Sequence, residues 1–319
     1  MNVAHRDVKA DNVLVKTTAH GTTLKLCDFA CSKKLEAPIH GSYMSTLVMT
    51  LDREKGYSWM APEIAGHFNE DSEGRPIQFK LSDNGYTRSA DIFSLGLVLY
   101  FIATKGKALF STLNETKRHG SLYSESRATL DSSRAFQLIR DDIKHPLMRD
   151  LISNMVHPAP AQRINFEKAR LHPYLWSFDK MTGFLTDIDK AGDPVVQVIR
   201  RKVNAQGAKI FAATTGKWYQ PGSAPPTADF EYHYSTYCAM PKAVQNTELD
   251  FQTATSLIHF FRNWLAHPPE LLNVRKRAFQ LSLVKHKEAF LYKMSVAFPK
   301  LIPELFYIAM EEGYEPVLD

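Results

Sequence analysis

Cysteine is nearly absent from this chain: there are three, Cys27, Cys31 and Cys238. An odd number with no paired spacing excludes a disulfide framework and points to a reducing compartment. Cys27 and Cys31 lack companion ligands at metal-site spacing, so two small buried thiols beside a strand are expected there. Long hydrophobic runs are missing too. The longest, IFSLGLVLYFIAT at residues 92–104, falls short of the roughly 20 residues that span a bilayer. It reads as a buried helix. No targeting peptide is visible at the start. Charge of one sign is only mildly in excess, with 39 Lys and Arg against 34 Asp and Glu for a net of +5. That bias tolerates a phosphate-rich partner without demanding one. The remainder, 44% hydrophobic and 23% charged over 319 residues, is ordinary globular composition with room for two domains.

What is present is concentrated in motifs. The chain opens MNVAHRDVKADNVLV, with His5-Arg6-Asp7 followed by Lys9 and Asn12. The run TLKLCDFA then alternates into a strand and ends on Asp28-Phe29-Ala30. Sixteen residues separate Asn12 from Asp28, enough for a short hairpin bearing Gly21. GYSWMAPEI supplies Ala61-Pro62-Glu63, and GYTRSADIFSLGLVLYF places Asp91 at the head of the apolar helix with Gly96 inside it. In HPAPAQRINFEKARLHPYLW, Arg163 stands where it could pair with Glu63, since a buried carboxylate needs a cationic partner.

This ordered succession resembles the C-terminal lobe of a eukaryotic protein kinase, over residues 1 to about 176. The resemblance implies ATP with Mg²⁺, the ion held by Asn12 and Asp28, whose oxygens suit a hard cation. Asp7 would orient or deprotonate an acceptor hydroxyl, and Lys9 would neutralise charge on the transferred phosphoryl group. Ala30 stands where the family usually has glycine, at a hinge that glycine frees. Nothing before residue 5 supplies the glycine-rich loop, strand lysine or helix glutamate of an N-terminal lobe. A fragment lacking that lobe is therefore expected, with Met1 an internal methionine or the start of a truncated gene model. The hydroxyls Ser42, Ser45, Thr46 and Thr50 of the activation segment are candidate phosphorylation sites.

After LHPYLW the chain continues without a flexible linker. Leu175, Phe178, Met181, Phe184 and Leu185 carry helical spacing. From Ala191 to about Asn246, with Trp218 and many tyrosines among Pro, Gly and Ser, a long partly packed loop is expected. Then LDFQTATSLIHFFRNWLAHPPELLNVRKRAFQ reads as a helix starting near Thr253 or Thr255. Its buried stripe is Leu257, Ile258, Phe261 and Leu265, with Arg262 beside it. Pro268 steers His267 out of the helix. On an unbroken helix Arg262 and His267 would stand about 140° apart; a break can turn both towards one phosphate.

Arg262-Asn263-x-x-x-His267 behind a kinase lobe resembles the kinase-extension nuclease domain. That domain characterises the inositol-requiring-enzyme sensors of the unfolded protein response and their relative ribonuclease L. FLYKMSVAFPKLIPELFYIAMEEG, with Phe298-Pro299 before a last helix, fits the same resemblance. It implies metal-independent RNA cleavage by 2′-hydroxyl attack, with His267 as acid, Arg262 as phosphate clamp and Asn263 positioning the loop. Arg275, Lys276, Arg277, Lys285 and Lys287 form either an RNA landing strip or a solvated helix face. The family pattern is altered at three places. Leu249 replaces the base tyrosine, Ser256 an acidic residue and Trp264 a lysine. Either His259 or one of Tyr232, Tyr234 and Tyr237 substitutes as base, or the nuclease is weak or lost.

The expected fold class is mainly α: a kinase C-lobe with short β hairpins, residues 1–171, fused to an α-helical nuclease domain, residues 172–319. Three functions are open: a kinase/endoribonuclease acting on RNA as a homodimer or higher oligomer, a non-catalytic regulator of a complete homologue, and a Ser/Thr kinase with a degenerate nuclease. The expected location is cytoplasmic, with a full-length relative anchored in the endoplasmic reticulum membrane.

Overall fold

The computed structural model of the chain describes residues 3–19, 21–34, 59, 61–65, 87–109, 132–190, 192–211, 227–228, 253–266 and 279–314. The chain is mainly helical, with two small antiparallel sheets of two strands each among the described residues. It divides into two compact units: Met1–Lys144 with Met148–Ala169, and His145–Leu147 with Arg170–Asp319.

In the first unit, β1 (Val3–Ala4) pairs with β4 (Lys33–Lys34), and β2 (Val13–Thr18) pairs with β3 (Gly21–Leu26). The hairpin registers Val13 against Leu26 and Thr18 against Gly21. Gly21 has φ +130° at the turn, a backbone that a side chain would oppose. Beyond the ladder, the Cys27 N–H donates to the Asn12 carbonyl at 2.9 Å, so both ends of the hairpin meet at one mouth. The cysteines there depart from expectation. Cys27 and Cys31 are half-buried beyond the open end of the hairpin; the Cys27 thiol donates to Asn12 O at 3.3 Å.

Among the described residues, the helices lying wholly or mainly in this unit are α1 (Pro62–Ala65), α2 (Arg88–Ala103), α3 (Ser132–Asp142), α4 (Pro146–Met155) and α5 (Phe166–Arg170). The apolar run is the core helix α2, whose Phe93, Leu97 and Tyr100 pack with Ile139, Ile143 and Ile152. Fully burying each such side chain contributes about 1.5–3 kcal/mol, which outweighs any local propensity. Among the described residues no helix is long and apolar enough to cross a membrane. The Glu63–Arg163 pair forms as two parallel bonds of 2.5 and 2.6 Å. Arg163 also donates to the carbonyls of His157, Pro158 and Ser89, and lies over the Phe93 ring. A guanidinium with 0% side-chain exposure is thus fully occupied, which is what makes its burial tolerable.

In the second unit, α6 (Phe178–Asp189) is capped by Ser177, whose Oγ accepts from the Lys180 N–H at 3.2 Å. Met181, Phe184 and Leu185 line its buried face as their spacing requires, joined by Ile188. Leu175 does not join them. It sits in a 3₁₀ turn, Pro173–Leu175, and is 57% exposed. The Trp176 indole donates to Leu171 O at 2.7 Å and turns the chain before the helix begins.

The expected loop beginning at Ala191 starts instead with two helices, α7 (Pro194–Ala205) and α8 (Gly207–Phe211). Asp193 caps α7 by accepting from Val195 and Val196 N–H, Pro194 fits the first turn, and Val196, Ile199 and Val203 bury one stripe. Trp218 and the tyrosine-rich stretch lie outside the described residues. α9 (Ala254–Ala266) is capped by Thr253, whose Oγ1 accepts from Ser256 N–H, while Thr255 is held inside by both amide atoms of Asn204. Leu257, Ile258, Phe261 and Leu265 are buried as expected, and Trp264 stacks on Phe290 at 4.0 Å. α10 (Phe279–Ala297) and α11 (Leu301–Glu311) follow, joined through buried Phe298.

Gly96 marks a close approach of α2 to the end of α4. A Cβ there would stand 2.8 Å from Met155 Cβ and 2.8 Å from Val156 Cγ1. Replacing glycine by alanine in a helix gains about 1 kcal/mol of propensity, but overpacking costs about 1–3 kcal/mol. We expect Gly96→Ala to lower stability by up to about 2 kcal/mol in urea unfolding; a stabilised variant would show that α2 can move away.

Candidate functional site

The chemistry-bearing residues fall into two groups, one in each unit. In the first unit, residues 5–12 run between β1 and the hairpin, and the start of this loop is held by one carboxylate. Asp91, in the first turn of α2, accepts from His5 N–H at 2.7 Å and from Arg6 N–H at 2.9 Å, one bond to each oxygen. Arg6 takes φ +68° within this clamp and its Nε donates to Cys31 O. The His5 ring has a settled tautomer. Its Nε2 faces the Cys27 carbonyl at 3.1 Å, which can only accept, so Nδ1 is left to accept from Asp7 N–H at 3.4 Å. Phe29 packs edge-on against that ring, 4.6 Å between centroids.

Asp7, Lys9 and Asn12 come together. Lys9 Nζ reaches Asp7 Oδ2 at 2.8 Å, and Asn12 Nδ2 donates to the same oxygen at 3.0 Å and to Asp7 O at 2.8 Å. Asn12 is buried, so its amide is fixed with Oδ1 as the remaining acceptor. Asp28 follows Cys27, whose N–H bonds the Asn12 carbonyl at the hairpin mouth, and the Asp28 Oδ1 accepts from Ala30 N–H at 3.4 Å. A carboxylate and an amide oxygen are the donor types a magnesium ion takes while keeping its waters. The hinge differs from expectation. Asp28, with φ +61°, adopts the left-handed backbone, while Ala30 does not. Aspartate tolerates that region better than most side chains, so the turn needs no glycine at position 30.

In the second unit, the last residue of α6 is the centre of a polar cluster. Asp189 has a side chain only 6% exposed. His259 Nδ1 lies 3.0 Å from its Oδ2 and 3.2 Å from its Oδ1. Arg262 Nε stands 3.2 Å from Oδ2 as an ion pair off the N–H axis. Arg200, from α7, places Nη1 3.6 Å from Oδ1 and donates to the carbonyls of Ile188 and Asp189. Burial alone would push this carboxyl up. The hydrogen bond from His259, the charge His259 carries when protonated, and the positive charges of Arg262 and Arg200 outweigh it and hold the carboxyl below the usual range.

The two remaining links lie on α9. Arg262 Nη1 donates to Asn263 Oδ1 at 2.5 Å, and Asn263 Nδ2 meets His259 Nε2 at 2.8 Å. Asp189, His259, Asn263 and Arg262 therefore form a closed ring of polar contacts. The i, i+3 and i, i+4 spacings of one helix face bring the last three together. Arg262 and Asn263 are thus adjacent and mutually bonded. His267, Leu249, Tyr232, Tyr234 and Tyr237 lie outside the described residues, as do Arg275, Lys276, Arg277 and the activation-segment hydroxyls. Nothing is described of the Lys285 side chain; Lys287 is partly exposed on α10.

Asp91 and Asp189 were not singled out for these roles by sequence. For Asp189 a signal did exist: an acid at a helix C-terminus opposes the helix dipole and calls for cationic partners. Truncating it strands those partners at a buried position. Asp189→Ala should cost about 3 kcal/mol in urea unfolding near neutral pH. Because the folded carboxyl is held low, its contribution is complete above the unfolded value of about 3.9 and vanishes as pH falls through the lower folded value. The wild-type–variant difference should therefore shrink only below about pH 4. A difference that shrinks between neutrality and pH 5 would contradict the pairing.

The chain matches the protein kinase domain family over residues 1–175. It is 24% identical over 323 residues to the serine/threonine-protein kinase/endoribonuclease IRE1a of Arabidopsis thaliana, covering 97% of this chain and 31% of the relative. That alignment runs through both units. Identity to the serine/threonine-protein kinase/endoribonuclease IRE1 of Hypocrea jecorina is 29% over 208 residues, 59% of this chain and 16% of the relative. A mitogen-activated protein kinase, mpkA of Aspergillus fumigatus, is 29% identical over 193 residues, 54% of this chain and 40% of its own. The chain spans less than a third of the length of the kinase/endoribonuclease relatives cited. With the kinase match covering more than half its length, the chain belongs to the protein kinase domain family and is related to its IRE1-type kinase/endoribonucleases.

Proposed function

We propose that residues 172–319 form a kinase-extension nuclease that cleaves RNA, carried by a protein kinase C-lobe at residues 1–171. The supporting observation is the bonded pair Arg262–Asn263 on α9, in a unit spanned by the alignment to a kinase/endoribonuclease. Arg262 uses Nε and Nη1 towards Asp189 and Asn263, and its side chain is 30% exposed. Among the described residues Nη2 is not engaged. A guanidinium oriented this way presents a planar edge to phosphate oxygens.

The reaction is transesterification within the RNA. A base removes the 2′-hydroxyl proton, the 2′-oxygen bonds to the adjacent phosphorus, and the P–O5′ bond breaks. His267 gives its proton to the departing 5′-oxygen. Products are a 2′,3′-cyclic phosphate and a 5′-hydroxyl end. Arg262 neutralises the charge that builds on the non-bridging oxygens, and no metal is needed. Two copies of the chain associate to complete the RNA site, on the cytosolic side of the membrane in the full-length protein.

In the kinase lobe, Asn12 Oδ1 and Asp28 would hold Mg²⁺, which neutralises ATP phosphate oxygens when bound. Lys9 and Asn12 both engage Asp7 Oδ2, which leaves Oδ1 to take the proton of an acceptor hydroxyl. Leu249, at the base-tyrosine position, favours a second reading: a regulator that pairs with a complete homologue and cuts nothing itself.

Cleavage of a stem-loop RNA in the presence of EDTA separates the two readings. Under the first, wild type cuts, leaves a 2′,3′-cyclic phosphate, and loses at least about 100-fold in rate as His267→Ala or Arg262→Ala. Undiminished cutting by His267→Ala removes the acid assignment, and a silent wild type selects the regulator. For the kinase lobe, binding of a fluorescent ATP analogue should require Mg²⁺ and weaken about tenfold or more in Asp28→Ala, roughly the loss of one charged contact. Equal binding with and without the ion would rule out the metal assignment.

A further inference from the structure

The polar ring in the second unit constrains the protonation of every member. Arginine can only donate, so the Asn263 atom 2.5 Å from Arg262 Nη1 is the amide oxygen. The amide nitrogen, a donor, then faces His259 Nε2 at 2.8 Å. Nε2 must therefore accept and carries no proton. The remaining ring nitrogen, Nδ1, holds the hydrogen and gives it to Asp189, whose two oxygens lie at 3.0 and 3.2 Å. The ring closes only around a neutral imidazole in its Nδ1–H form.

We infer that His259, oriented by Asp189, is a positioning residue that aims Asn263 and through it Arg262 at phosphate, and does so only while neutral. This rests on the RNA-cleaving reading above. Adding a proton at Nε2 sets two donors against each other, N–H of the imidazolium against N–H of the amide. The Asn263 amide must rotate, which turns its nitrogen to Arg262, again donor against donor. Either way one link of the ring is lost: the amide keeps its bond to Arg262 but is no longer anchored by His259, or it rotates and Arg262 keeps only its Asp189 pairing. Among the described residues, charged groups facing His259 include Asp189 at the end of α6, Arg200 from α7 behind it, and Arg262 on its own helix. Asp189 keeps its two arginine partners when the ring opens, so the break falls at Asn263.

The sign of the effect is diagnostic. Protonating histidines ordinarily strengthens RNA binding by adding positive charge near phosphate. Here acidification weakens it. The probe is a stem-loop RNA methylated at every 2′-oxygen, which cannot be cut, with Kd measured by fluorescence anisotropy between about pH 5 and about pH 8, where imidazoles change charge. His259→Gln serves as the neutral mimic, since its amide can donate to Asp189 and accept from Asn263 at all these pH values. The ratio of wild-type Kd to His259→Gln Kd should rise about tenfold from pH 8 to pH 5, and a ratio independent of pH overturns the inference. Nitrogen NMR of the chain without RNA gives a second reading. His259 should show the Nδ1–H form at pH 8, and the Asn263 side-chain amide should shift with the His259 titration. An Nε2–H form, or an Asn263 amide blind to that titration, also overturns it. If wild type binds no RNA at any pH, the proposed function fails, while the NMR result still decides the role of His259.

Discussion

A carboxylate almost closed off from water has to be answered by hydrogen bonds and positive charge, and Asp189 is answered from three directions. Its place at the end of α6 sets its height; α7 brings Arg200 and α9 brings His259 and Arg262. Each of these helices is itself fixed by an apolar stripe: Met181, Phe184 and Ile188 on α6, Val196 and Ile199 on α7, Leu257, Phe261 and Leu265 on α9. The polar ring is therefore a by-product of hydrophobic packing that has been made specific. Packing brings the backbones close, and the donor and acceptor inventory then permits one arrangement of the side chains.

The first unit uses the same device with backbone donors. Asp91 takes the amide hydrogens of His5 and Arg6, one per oxygen, and so sets the loop that carries Asp7 and Lys9. The charge sits in the first turn of α2, where the helix dipole favours it. Arg163 and Glu63 secure a second region in the same unit by a buried two-bond pair. In each case a charge leaves water only where its hydrogen-bonding positions are met. Side chains that would act on a substrate are held by residues that would not touch one.

This division bears on the kinship with kinase/endoribonucleases. The His-Arg-Asp loop, the Asp28 turn and the Arg262–Asn263 pair can each be matched by letters. The supporting residues emerge only from the geometry of the folded chain. His259 shows the difference. By sequence it was a candidate substitute for the tyrosine that Leu249 displaces, because it is a titratable group on the right helix. In the structure its two ring nitrogens meet Asp189 and Asn263, which holds it within the polar ring.

Local letters were enough for the order of the kinase motifs, the Gly21 hairpin, the core helix within the apolar run 92–104, the Glu63–Arg163 pair and the buried stripe of α9. All of these follow from periodicity, a turn glycine or charge complementarity. Sequence alone also placed Arg262 beside that stripe. Tertiary structure decided what spacing could not express: that residues 194–211 are helical and not loop, that Leu175 turns away from the face its spacing suggested, and that the left-handed backbone of this turn falls at residue 28. It decided above all that an acid, an imidazole, an amide and a guanidinium from separate segments close into one ring. Residues 70 positions apart leave no local pattern, because what joins them is the packing of three helices, and that is a property of the folded chain.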